Sequence, residues 1–198
     1  MPLRATKQHA AETAHLSAQP HEPQQAGSTG LERLPLRNKR GALLYVPRTL
    51  EAGTPAPLAV MLHGAGGNAE HGLHLLQNYA DRYGMVLLAP ESRQTTWDII
   101  VQNQYGPDVA FINDCLMNVF DRYLIDPEYV ALGVFRTERL MRCLWASAMG
   151  SFLPTSSLFH RVSWFPSGSK IKFAFLSPMA RKMLFYRLAL AAAELFRS

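Results

Sequence analysis

Short apolar runs take turns with stretches of helical spacing over residues 41–133, and beyond that point the pattern loses definition. Gly41-Ala-Leu-Leu-Tyr-Val-Pro47 reads as an early strand closed by proline. Thr54-Pro-Ala-Pro57 reads as a turn, and Leu58 to Leu62 as a buried parallel strand. From Glu70 to Tyr83, the residues Leu73, Leu76, Tyr79, Ala80 and Tyr83 recur at helical spacing, and Gly84 is placed to stop that helix. Met85 to Pro90 predicts a further buried strand. Gly106-Pro107-Asp108 opens a second helix, with proline in the first turn and a carboxylate against the N-terminal dipole. Its apolar positions run from Val109 to Tyr123. Asp126-Pro127-Glu128 reads as a turn and Tyr129 to Leu132 as a third strand. This alternation of strand and helix predicts a doubly wound, mostly parallel α/β sheet. Later candidates are strands at Phe159 to Phe165 and Ile171 to Leu176, and a basic helix from Met179 to Phe196.

Composition divides the chain. At 198 residues and 48% hydrophobic content, one domain with a real core is expected. Residues 1–30 are rich in Gln, His, Ala and Pro and are expected as a disordered arm. Residues 31–135 form a partial α/β domain. Residues 136–198 are a basic tail of doubtful fold. The net charge of +5 belongs to that tail. Residues 1–135 hold 10 Lys+Arg against 13 Asp+Glu, a net of −3, while residues 136–198 hold 10 against 2, a net of +8. The tail has no Asp, Asn or Gln, an alphabet unlike that of ordinary folded enzymes. The charge therefore does not imply nucleic acid as a partner.

Two cysteines, Cys115 and Cys143, are too few for a disulfide framework, so buried thiols in a reducing compartment are expected. The first 30 residues lack the apolar core of a secretory signal, and no stretch reaches the roughly 18 apolar residues of a membrane span. A cytoplasmic protein is expected.

The run Leu58-Ala-Val-Met-Leu-His63-Gly64-Ala65-Gly66-Gly67 carries the chemistry. From about Gly41 to Gly133 the chain resembles the carboxylesterase/phospholipase-like branch of the α/β-hydrolases, close to polyhydroxyalkanoate-depolymerase-type serine esterases. The matching residues are Leu43, Tyr45, Val46 and Pro47, Met61 to Gly67, Leu88-Ala89-Pro90-Glu91-Ser92-Arg93, Thr96-Trp97-Asp98, Tyr105 to Ile112 and the Asp126-Pro127 turn ahead of Val130-Ala131-Leu132-Gly133. The resemblance implies a small-molecule ester substrate, no metal or organic cofactor, and an oxyanion-hole loop at His63, Gly64, Ala65, Gly66 and Gly67. Ala65 is the first candidate N–H donor and Gly66 the second; read without the family, the same glycines make a tight strand-to-helix turn. His63 is expected to brace the loop rather than act as a base. Trp97 and Asp98 either line an acyl cleft or pack. Asp108 is expected as a helix N-terminal carboxylate, and His71 and His74 as solvated surface residues.

The family continues from the last strand into Gly-Phe-Ser-Asp-Gly, a strained turn that exposes the nucleophile. This chain continues Val134-Phe135-Arg136-Thr137-Glu138. Reading the third base of each codon with the first two of the next permits G-F-S-D-G-A-S-Y-A-L-S-L-G from Gly133 onward. Whatever codons are used, the boundaries Trp145/Ala146, Met149/Gly150 and Met179/Ala180 each force glycine at this offset. The same offset later permits T-H-I-I-A-F-S-P-G-F-M and T-H-G-T-x-D, the latter like the family segment that bears the triad aspartate. The expectation is an out-of-frame translation of an esterase gene from about residue 134.

No catalytic residue is assigned. The tail's one histidine is His160, no histidine follows its late acid Glu194, and Ser147, Ser151, Ser156 and Ser157 lie in no Gly-x-Ser-x-Gly turn. The alternative from another class is a hydrolase-like binding protein. Its basic tail, through Arg181, Lys182, Arg187 and Arg197, would contact a membrane or nucleic acid.

Overall fold

A computed structural model of the chain describes residues 16–34, 40–74, 76–101, 106–135 and 171–175. The strands are β1 (Gly30–Leu34), β2 (Ala42–Val46), β3 (Ala56–Leu62), β4 (Val86–Pro90), β5 (Ile125–Phe135) and β6 (Ile171–Phe175). The helices are α1 (Ala69–His74), α2 (Gln77–Tyr83), α3 (Asp98–Val101) and α4 (Pro107–Phe120). The strands form one six-stranded sheet in the order β1-β2-β4-β3-β5-β6. β3 is parallel to both β4 and β5, while β1/β2, β2/β4 and β5/β6 pair antiparallel. The sheet is therefore mixed rather than mostly parallel. Its core of β4, β3 and β5 is parallel, and antiparallel strands flank it.

Each central strand is buried on both faces. Leu58, Val60 and Leu62 of β3 pack with Val109, Ile112, Leu116 and Phe120 of α4 on one side. Ala59 and Met61 face the other way, toward Ala69, Leu73, Leu76 and Ala80 of α1 and α2. This period-two division explains why β3 and β4 read as continuous apolar runs. Burying each such Leu or Ile side chain contributes about 1.5–3 kcal/mol.

The single helix expected over residues 70–83 is broken. α1 ends at His74, the Leu76 N–H donates to Leu73 O (3.1 Å), and α2 begins again with the Ala80 N–H on Leu76 O (2.8 Å). The tightened turn keeps Leu73, Leu76 and Ala80 all on the sheet side, where they are 3%, 5% and 0% exposed. α1 lies so close to β3 that a Cβ on Gly72 would sit 3.0 Å from Met61 O. Gly84 ends α2 as expected. It adopts φ 62°, and its N–H and that of Met85 (3.0 Å) both close on Ala80 O.

The turn expected at Asp126-Pro127-Glu128 lies inside β5 as a bulge. The register passes from Ala56↔Ile125 to Leu58↔Val130 across it, and the Glu128 N–H closes on Asp126 Oδ1 (2.9 Å). β1 and α3 were not anticipated.

Residues 16–29, expected as part of a loose arm, lie instead along α4. Leu16 and Ala18 are buried, and the amides of Ser17 and Ala18 both donate to Asn113 Oδ1 (2.7 and 2.8 Å). The amides of Gln24 and Gln25 donate to Asp121 O (2.8 and 2.9 Å), and the Tyr123 hydroxyl donates to Ser28 O (2.6 Å). Polar anchoring thus replaces the apolar area the segment lacks. The strand expected over 171–176 is β6. Those expected at 159–165 and the helix at 179–196 lie outside the described residues, as do residues 1–15.

Candidate functional site

β3 delivers His63 to the carboxyl edge of the sheet, where it is fully buried. The Ser92 N–H donates to His63 Nε2 (2.9 Å), so that nitrogen is unprotonated. The proton then sits on Nδ1, which donates to Gly64 O (2.8 Å). The Trp97 indole N–H donates to His63 O (2.8 Å), and the two rings lie 4.9 Å apart, tilted by 31°. Burial pulls the His63 pKa below its ordinary value, and the Gly64 bond and the Glu91 charge only partly oppose this. A neutral ring with both nitrogens occupied is a brace between strand ends, not an available base.

The brace fixes the loop that follows. Gly66 adopts φ +72°, and its N–H donates to Thr95 O (2.9 Å). The Gly67 N–H turns back on Gly64 O (3.0 Å). Gly64 is buried and Ala65 exposed, and among the described residues the Ala65 N–H has no hydrogen-bond partner. Of the two expected donors, Gly66 is thus engaged elsewhere and Ala65 is open. The loop lies at the carboxyl ends of adjacent parallel strands, with Met61 opposite Gly133 and Leu62 opposite Val134. This edge is where open α/β sheets carry ligand contacts.

Trp97 and Asp98, expected either to line a cleft or to pack, are packed among the described residues. Both are buried, at 2% and 3% exposure. Trp97 covers His63, and Asp98 enters a reciprocal clasp with Asp108. The Asp98 N–H donates to Asp108 Oδ2 and the Asp108 N–H to Asp98 Oδ2, each at 2.9 Å. Asp108 Oδ1 takes the Arg93 N–H as well (3.0 Å). Asp108 is therefore the N-terminal carboxylate expected of α4, and it also joins α4 to the segment after β4. Burial raises its pKa, against the pull of the Arg93 and Asp98 N–H bonds. Gly106 is required at this clasp, since a Cβ there would sit 2.5 Å from Asp98 Oδ2.

Sequence reasoning missed Ser92 and Asn68. Asn68 caps α1 by taking the His71 N–H on its Oδ1 (3.1 Å), a role signalled by an Asn just ahead of an apolar helical pattern. No sequence signal marks the Ser92 amide. His71 and His74 are exposed on α1, and no group of three metal-ligating side chains occurs among the described residues. Cys115 is a buried free thiol whose pKa burial pushes up, so it is inert. Arg136, Thr137, Cys143, Ser147, Ser151, Ser156, Ser157, His160, Glu194 and the four basic tail residues lie outside the described residues. No helix among the described residues is long and apolar enough to cross a membrane.

These elements define an α/β protein with helices on both faces of a mixed sheet. No protein-family model matches the chain. No curated protein matches it either. Among solved structures it is similar to one titled "Crystal Structure of a Thermostable Esterase", with 15% identity and a TM-score of 0.47. The match covers 61% of this chain and 37% of that one, so the chain spans little more than a third of that esterase's length.

Proposed function

We propose that the chain is a frameshifted member of the serine-type carboxylic-ester hydrolases of the carboxylesterase/phospholipase-like class, without turnover as written. The observation that carries this reading is the open N–H of Ala65, held at the carboxyl edge of β3 by His63, Trp97 and Thr95. In a working enzyme of this class, a serine hydroxyl attacks the ester carbonyl while histidine takes its proton. Such an N–H then stabilises the tetrahedral oxyanion.

The missing half is the nucleophile. A strand-turn-helix elbow would have to bend just past Gly133. β5 instead stays extended to Phe135 and pairs antiparallel with β6, through Phe135↔Ile171 and Val134↔Lys172. Among the described residues, the course of β5 holds no strained turn for a serine, and the out-of-frame reading from about residue 134 rests on the sequence. A reducing, cytoplasmic setting fits the buried Cys115 thiol. No metal or organic cofactor enters the reading.

The test is hydrolysis of p-nitrophenyl esters by the purified full-length chain, run beside labelling with a fluorophosphonate. Turnover is expected at the level of the uncatalysed reaction, with no covalent label. Turnover abolished by the fluorophosphonate would overturn the proposal.

A further inference from the structure

We propose that His63 is an acid-sensitive pin between the carboxyl ends of β3 and β4: protonating its ring expels the Ser92 N–H and releases that amide, while the Gly66 and Trp97 bonds still join the two loops. The inference does not depend on the esterase reading, since it concerns only how two loops are joined.

The geometry leaves the ring one workable state. Nδ1 must donate to Gly64 O, and Nε2 must accept from Ser92. A second proton would be placed on Nε2, turning it into a donor that faces another donor in a site closed to water. The neighbouring amide is fastened differently. Arg93 donates to Asp108 Oδ1, on α4, and Asp98 donates to the other oxygen of the same carboxylate. Two adjacent N–H groups are thus held by acceptors of opposite acid response.

Linkage fixes the direction at each. Burial lowers the His63 pKa in the closed form, so closure weakens as the pH falls below the ordinary imidazole value toward the depressed one. Burial raises that of Asp108, so proton uptake there favours the closed form. The charges around the two sites are accounted for. Glu91 at the end of β4 raises the His63 value, while Arg40 ahead of β2 and His71 on α1 lower it. Asp98 on α3 raises Asp108, and Arg93 lowers it. Acid should therefore release Ser92 and leave Arg93 in place.

Amide hydrogen exchange followed by NMR, read as protection factors on the full chain, tests this residue by residue. Between about pH 7 and about pH 4.5, protection at Ser92 is expected to fall roughly tenfold or more while Arg93 and Leu88 hold theirs. The His63 ring nitrogens should titrate with the same midpoint. His63→Gln, which keeps an acceptor that cannot titrate, should abolish the response. The proposal is overturned if Ser92 keeps its protection, if it loses it in step with Arg93 and Leu88, or if ring titration and Ser92 release separate. Should His63→Gln fail to fold, the agreement of the two wild-type midpoints decides alone.

Discussion

The carboxyl ends of β3 and β5 lie side by side, paired through Leu62↔Val134, yet they are finished in different ways. At the end of β3 the chain leaves the sheet at once. Each turn of that exit is fastened: His63 to Gly64 and Ser92, Gly66 to Thr95, Trp97 to the His63 carbonyl. At the end of β5 the chain stays extended and meets an antiparallel neighbour. In a doubly wound sheet, neighbouring parallel strands end in loops at the same edge, and those loops share the work of a site. On the proposed reading the β3 loop would hold charge on an oxygen, while β5, among the described residues, continues as a strand to Phe135. The difference teaches that two adjacent strand ends in one sheet can be finished independently, one by a fastened loop and the other by strand pairing. The β3 loop is held by the segment after β4, through Ser92, Thr95 and Trp97.

The comparison breaks most easily at its ordered end. Trp97→Ala removes a buried ring and the donor to His63 O, and is expected to destabilise the protein by about 3–5 kcal/mol, read as a shift in urea midpoint. A cost near zero would mean that the β3 exit is not fastened by the segment after β4. Gly66→Ala is a finer probe. No atom lies within 4 Å of the Cβ it would add, so only the positive φ of +72° opposes the change. The expected cost is about 1 kcal/mol in the same assay.

Legibility in the sequence followed the same division. β2, β3, β4 and α4 announced themselves because both faces of the strands are apolar and because Gly106-Pro107-Asp108 marks a helix start in three ways at once. His63, expected to brace the loop, makes two ring bonds, to Gly64 O and from the Ser92 N–H. What was not legible depended on partners distant in sequence. The burial of Trp97 requires the His63 carbonyl, 34 residues away, and the docking of residues 16–29 requires Asn113, more than 90 away. Local composition left Trp97 open to two readings and suggested an arm; long-range hydrogen bonds pack Trp97 and residues 16–29. The break between α1 and α2 was hidden because the apolar spacing from Leu73 to Ala80 suits one helix as well as two. The mixed character of the sheet was hidden for a related reason, since direction of pairing leaves no mark in a short apolar run.

The central claim is that the code for the second half of the site was read at the wrong offset. Sequencing the coding DNA across codons 130–140 tests it most directly. The account predicts one missing or extra base there, with an uninterrupted reading through Gly-Phe-Ser-Asp-Gly once the frame is corrected. An intact frame carrying Arg136 and Thr137 would contradict it.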